Sequence, residues 1–146
     1  MLSQQSRSSS PDESGSNSSL DSALILSVDD EPNILYTRKM LLESTGYAVL
    51  NASGGREALR LFAERSIDVV LLDYYMPDLN GDVVAAEMKQ QKPVVPIIMI
   101  SASLGVAEHV SRFVDSFIAK GDGPEVLLAT IRRLLSIVRA AGKSAQ

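Results

Sequence analysis

The sequence predicts an α/β fold: one doubly wound parallel sheet with helices on both faces. Three observations lead there. The chain carries nearly unbroken apolar runs, Ala23-Leu-Ile-Leu-Ser-Val28, Val69-Val-Leu-Leu72 and Pro96-Ile-Ile-Met-Ile100. Runs of this kind mark strands buried on both faces, as parallel strands are. Helically spaced stretches separate the runs, so strand and helix alternate five times. Strands separated by helices pair in parallel through right-handed crossovers. Finally, polar residues fall at the carboxyl ends of the runs: Asp29 and Asp30, Asp73, Ser101 and Lys120. In open α/β sheets that edge is where ligands bind.

A chain of 146 residues suggests one domain. Residues 1–20 are Ser-rich with almost no apolar side chain, and a disordered tail is expected there. The folded domain is expected over 21–141, with a short tail over 142–146. Apolar residues make up 45% of the chain and Trp is absent, so the core must be aliphatic. A net charge of −4 and a pI near 4.9 argue against a direct nucleic-acid surface, which needs a basic stripe. There is no cysteine, hence no disulfide and no thiolate metal site. No apolar run is long enough to cross a bilayer, and the N-terminus lacks the apolar core of a signal peptide. A cytoplasmic location without membrane contact is the expectation.

Each element has its own signals. The first strand is read over 23–28. Pro32 suits the first turn of the next helix, where its missing N–H costs nothing. Ile34, Leu35, Arg38, Leu41, Leu42 and Thr45 approximate one face of that helix, and Gly46 is its stop. Residues 47–52 read as an outer strand. Ser53-Gly54-Gly55 is a turn, because it lacks both phosphate-loop patterns and follows the wrong strand. A helix over 56–65 points Ala58, Leu59, Leu61 and Phe62 inward. The central strand spans 69–73, and the bend at Met76-Pro77 through Gly81 leaves Asp73 in a crevice. A helix over 82–91 is given Val83, Val84, Ala86 and Met88 as its inner set, and Lys92-Pro93 breaks it. Residues 96–101 are the fourth strand, 106–113 a short fourth helix, and 116–120 the fifth strand. The last helix starts at Pro124. Glu125 suits its positive end, and Arg132, Arg133 and Arg139 its negative end. Leu127, Leu128, Ile131, Leu134, Leu135 and Val138 form its apolar stripe.

If the strand order is 2-1-3-4-5, the first and third strands are neighbours, about 4.8 Å apart. The carboxylates of Asp30 and Asp73 then reach one small cation. Mg²⁺ is the natural candidate, since it takes oxygen ligands and keeps several waters. No His or Cys cluster favours zinc, and the lone His109 reads as a surface or satisfied residue. Three carboxylates alone would repel, and one divalent ion with Lys120 balances them. An incoming phosphoryl group would meet the cation, Lys120 and the Ser101 hydroxyl, with Asp73 as nucleophile. Taken singly, these residues have plainer readings: Asp29-Asp30 as a helix cap, Lys120 on the surface, Ser101 at a strand end, Phe117 in the core.

In this order the motifs resemble the receiver domain of bacterial two-component response regulators. They are Asp29-Asp30, Asp73 with Met76-Pro77 and Gly81, Ser101-Ala102, and Phe117 three residues before Lys120. The resemblance covers residue 24 to about 138. It implies a flavodoxin-like (βα)5 fold, and receivers are a known example of the 2-1-3-4-5 order. It implies phosphorylation of Asp73 by a histidine kinase or a histidine phosphotransfer protein. Asp30, Asp73 and the backbone carbonyl of Tyr75 would bind Mg²⁺ directly, and Asp29 through water. Ser101 would hydrogen-bond the phosphoryl group, and Phe117 would swing inward as it does so. The output would be a downstream effector or output domain. Homodimerisation through the last helix is a further option, supported by Val126 and Ile137 off its main stripe. Tyr36 and Met40, on the outer side of the first helix, would help to dock the kinase. Gly121 stands where the family usually has proline. A cis bond is cheap before proline but costs about 2.5–4 kcal/mol elsewhere. Two other readings stay open. One is a receiver-like module that signals by protein contact alone. The other is a Mg²⁺-dependent aspartyl phosphatase of the haloacid dehalogenase type, although that type carries Asp-x-Asp and an inserted cap.

Overall fold

The computed structural model describes residues 23–103, 105 and 111–145. The Ser-rich tail, His109 and most of the expected fourth helix lie outside them. The elements are β1 Leu24–Val28, α1 Pro32–Ser44, β2 Ala48–Ala52, α2 Gly55–Glu64, β3 Val69–Asp73, α3 Gly81–Gln91, β4 Ile97–Ser101, β5 Ser116–Ala119 and α4 Pro124–Ala145. All five strands are parallel, in the order β2-β1-β3-β4-β5. This is the 2-1-3-4-5 flavodoxin-like arrangement that the receiver resemblance implies, with the parallel pairing that the strand–helix alternation predicts.

The sheet separates two aliphatic cores. Alternate residues of each strand point to opposite faces. Leu26, Val28, Val70, Leu72, Ile97 and Met99 therefore meet Phe62 of α2 and Val84 and Met88 of α3. Ile25, Val49, Val69, Leu71, Ile98 and Ile118 meet Leu42 of α1 and Ile131 and Leu134 of α4. β3 and β4 are buried along their whole length, which explains their runs without polar alternation.

Three expectations change. On α3 the buried residues are Gly81, Val84, Ala85 and Met88, while Val83 is half exposed. The rotation is set at the helix start, where Gly81 N–H donates to Tyr74 O at 2.6 Å. A Cβ at Gly81 would lie 2.6 Å from Asp73 O, so only glycine lets the helix begin this close to the strand end. Among the described part of the expected fourth helix there is a single 3-10 turn, Ser111–Phe113. α4 continues through Ala145, into the stretch expected as a tail, because Ala-Ala-Gly-Lys-Ser-Ala holds no proline to stop it. At the end of α1, Gly46 takes φ 103°, the left-handed conformation that lets the chain turn into β2.

Candidate functional site

The register of the sheet builds the site. Val28 pairs with Leu72, so the next residues, Asp29 and Asp73, emerge side by side at the carboxyl edge. Asp29 is wholly buried and Asp73 is 4% exposed, whereas Asp30 faces solvent. Each of the three offers a carboxylate oxygen within 4.8 Å of the others. Asp29 does not cap α1 by its side chain. Its Oδ1 accepts the Glu31 N–H at 3.0 Å and holds the loop, while its N–H donates to Ala52 O on β2.

Lys120 closes the pocket from β5. Its Nζ lies 3.3 Å from Asp73 Oδ1 and 3.5 Å from Asp29 Oδ2. Its backbone N–H donates to Ser101 O at 3.0 Å, which ties the tips of β4 and β5 together. No described peptide bond is cis, including Lys120–Gly121, and the lysine still reaches both carboxylates. Ser101 is buried at the end of β4, and its hydroxyl accepts the Ser103 N–H at 3.1 Å. Phe117, half-buried on β5, packs against the core under α3. Tyr75 lies in the bend after Asp73. The residue is 56% exposed, and its ring stands edge-on to Tyr74, with centroids 4.7 Å apart.

The electrostatics follow from this crowding. Burial, and then Asp29, push the Asp73 carboxyl up to about 6 against the pull of Lys120. Burial alone would lower the Lys120 ammonium, but Asp73 and Asp29 outweigh it and hold the group above its ordinary value. Asp29 Oδ2 is buried without a hydrogen bond and has only the longer ion-pair contacts. An orphaned buried oxygen beside two more carboxylates, one open to water, suits a hard cation with oxygen ligands. The donor set therefore fits Mg²⁺.

The sequence reading missed two residues here. Arg38 of α1, placed there only as part of a helix face, sends its guanidinium to Asp29 Oδ2 at 3.9 Å and to Ser27 Oγ at 3.4 Å. Burial lowers its pKa, and Asp29 and Asp73 partly offset this. The available signal was a charged residue inside an apolar stripe. Asp78, in the bend, accepts N–H groups of Gly55, Arg56 and Leu79 at 3.0, 2.9 and 2.7 Å. These bonds hold its carboxyl below the usual range. It fastens the start of α2 to the loop that carries Tyr75.

A cleft of about 390 Å³ opens next to Lys120, between α1 and the start of α4, lined by Asn33, Thr37, Arg38 and Pro124 among others.

A doubly wound 2-1-3-4-5 sheet with this acid pocket at its carboxyl edge defines a receiver-type signalling domain. The chain belongs to the response regulator receiver domain family, whose profile matches residues 25–132. It is 40% identical over 114 residues to the probable transcriptional regulator ycf27 of Guillardia theta, covering 76% of this chain and 44% of that protein. Among solved structures it is similar to a CheY-like receiver domain protein of Methanospirillum hungatei. That match has 28% identity and TM-score 0.78, and covers 82% of this chain and 98% of the other. It is also similar to the response regulator TrrA of Thermotoga maritima, solved in complex with Mg(2+)-BeF. There the identity is 34% and the TM-score 0.74, with 77% and 98% covered. The chain spans about half the length of the curated relatives it matches. Among the described residues no helix is long and apolar enough to cross a membrane.

Proposed function

We propose that this receiver domain takes a phosphoryl group onto Asp73 and relays it as a change of surface. The observation that carries this reading is the Asp73 carboxylate itself. It is buried at a strand end, paired with Lys120 at 3.3 Å and clustered with Asp29 and Asp30. The donor would be a phosphohistidine of a histidine kinase or phosphotransfer protein. An oxygen of Asp73 attacks phosphorus as the P–N bond breaks. The electron pair returns to the imidazole nitrogen, which takes a proton from solvent. Bound Mg²⁺, held by Asp29, Asp30, Asp73 and the Tyr75 carbonyl, would supply charge neutralisation at the phosphoryl oxygens. Lys120 supplies a further positive charge. The Ser101 hydroxyl turns from Ser103 to donate to a phosphoryl oxygen, and Phe117 follows inward. Loss of the group is attack of water on phosphorus, with Asp73 leaving as carboxylate and inorganic phosphate released. The domain acts as a switch in the cytoplasm, not as a turnover enzyme.

Exposed Tyr36 and Met40 on α1, 66% and 55% accessible, support docking of donor helices there. The half-exposed Val126 and Ile137 on α4 support a contact with an effector, an output domain or a second copy.

The test is incubation with acetyl phosphate and Mg²⁺ followed by intact mass. The wild type gains one phosphoryl group. Asp73→Asn and a chelator-treated sample gain none. An unlabelled wild type would leave a module that works by contact alone, and steady turnover of p-nitrophenyl phosphate would favour the phosphatase.

A further inference from the structure

We infer that Arg38 is a positioning residue that loosens the pocket's grip on a divalent cation by occupying Asp29 from the α1 side. The inference rests on the reading of the pocket given above. The helix that covers β1 and β2 buries Leu35 and Leu42, with Ile34 and Leu41 half-buried, and Arg38 interrupts that stripe. Its side chain is only 10% exposed. Arginine is seldom so buried unless paired. Its partners are a second break in the apolar pattern. Ser27, wholly buried, is the polar residue inside the run of β1, and its Oγ accepts from Arg38 Nη1 at 3.4 Å. Asn51 stands beside Ser27 in register on β2, and its Oδ1 is buried without a hydrogen bond. Two polar residues thus stand side by side on neighbouring strands, and one of them, Ser27, meets an arginine from the helix above.

The seam ends at the acid pocket. Asp29 Oδ2 lies between two cations, Arg38 Nη2 at 3.9 Å and Lys120 Nζ at 3.5 Å, and hydrogen-bonds to neither. The two are not equivalent. Lys120 is more exposed, on a flexible stem at a strand tip, whereas Arg38 is packed under its own helix. A cation entering the pocket meets an arginine charge that cannot be moved to solvent. With Arg38 counted, two cations face three carboxylates, so the metal-free pocket is already largely neutralised. One extra unit charge about 6 Å away weakens divalent binding about tenfold even at a water-like effective dielectric of about 80, and more at lower values. Metal occupancy then follows the surrounding Mg²⁺ concentration instead of saturating early.

Calorimetric titration with MgCl₂ at fixed ionic strength tests this on the wild type, Arg38→Met, Arg38→Gln and Arg38→Lys. The Met and Gln variants are expected to bind at least about tenfold more tightly. The Lys variant, which restores the charge, is expected near the wild type. Arg38→Gln keeps a partner for Ser27, so it carries the test if Arg38→Met fails to fold. Thermal unfolding gives a second reading: the two neutral variants are less stable without Mg²⁺ and gain more from it. Unchanged or weaker binding in Arg38→Gln, or a Lys variant as tight as the neutral ones, overturns the inference while leaving the metal site intact. A wild type that binds no Mg²⁺ overturns the reading of the pocket itself, and this inference with it.

Discussion

Asp73 is costly to keep ionised. Its pKa is raised from 3.8 to about 6, first by burial and then by Asp29. A carboxyl raised in the folded state binds its proton more tightly there than in the unfolded chain. Its contribution to stability is therefore fully present below pH 3.8 and lost as pH rises through about 6. In metal-free protein at pH 7.5, Asp73→Asn should stabilise the fold by about 2 kcal/mol, a gain that shrinks toward pH 4. Urea unfolding at several pH values measures this, and a destabilised or pH-independent variant would contradict it. Two residues along, the exposed Tyr75 is proposed to slow the approach of water to a phosphorylated Asp73. Tyr75→Asn should release the phosphoryl group severalfold faster, followed as decay of the intact-mass adduct, and an unchanged lifetime would remove the tyrosine from that role. At this scale Asp29, Asp30, Asp73, Ser101 and Lys120 were legible because a polar residue ending an apolar strand has no packing reason to be there. Arg38 was not. Its position satisfied the helical spacing, and spacing does not say that a charge at an inner position must reach for another charge.

The elements were legible in kind and less so in rotation and extent. Apolar runs marked three of the five strands, and all five readings fall within a residue of the observed bounds. The inner face of α3 was misjudged because Val83, Val84 and Ala86 offer no clear periodicity. The close approach of Gly81 to the Asp73 carbonyl decides the rotation, and that is a contact across the chain. Asp78 likewise acts between elements. Its carboxylate holds the first N–H groups of α2, the service an N-cap side chain usually performs, while Gly54 at the cap has none. Asp78→Ala should cost about 1 kcal/mol by denaturant unfolding. Its depressed pKa makes that contribution present at neutral pH and lost as pH falls through its folded value, so variant and wild type should converge in acid. A constant gap down to pH 2 would contradict this. At the other edge, Asp115 accepts both the Ile97 N–H at 2.8 Å and Lys89 Nζ at 2.7 Å, fastening α3 to the entry of β4. A loop aspartate of this kind gives no sequence signal, because its partners lie 18 and 26 residues away.

The whole molecule is a sheet that insulates two cores and exposes one reactive edge. Parallel pairing was readable from alternation and handedness, whereas the 2-1-3-4-5 order came from the resemblance to receiver domains. What alternation cannot convey is the charge balance at the edge, which depends on three strand tips and a helix meeting within a few ångströms. On the proposed reading Mg²⁺ would bind only where those tips are assembled, so it should stabilise the folded chain by mass action. At a hundred times the dissociation constant the gain is about 2.7 kcal/mol, visible as a higher melting temperature that chelator-treated protein lacks. A melting temperature indifferent to Mg²⁺ would count against a metal site. The most direct test of the central claim is chemical mapping of the modified residue. After acetyl phosphate and Mg²⁺, borohydride reduces an acyl phosphate to the alcohol, and peptide mass spectrometry then locates it. Homoserine at position 73 alone is the result expected here. Homoserine at position 29 or 30, or none at all in protein that binds Mg²⁺, would contradict the assignment of Asp73 as the phosphoacceptor.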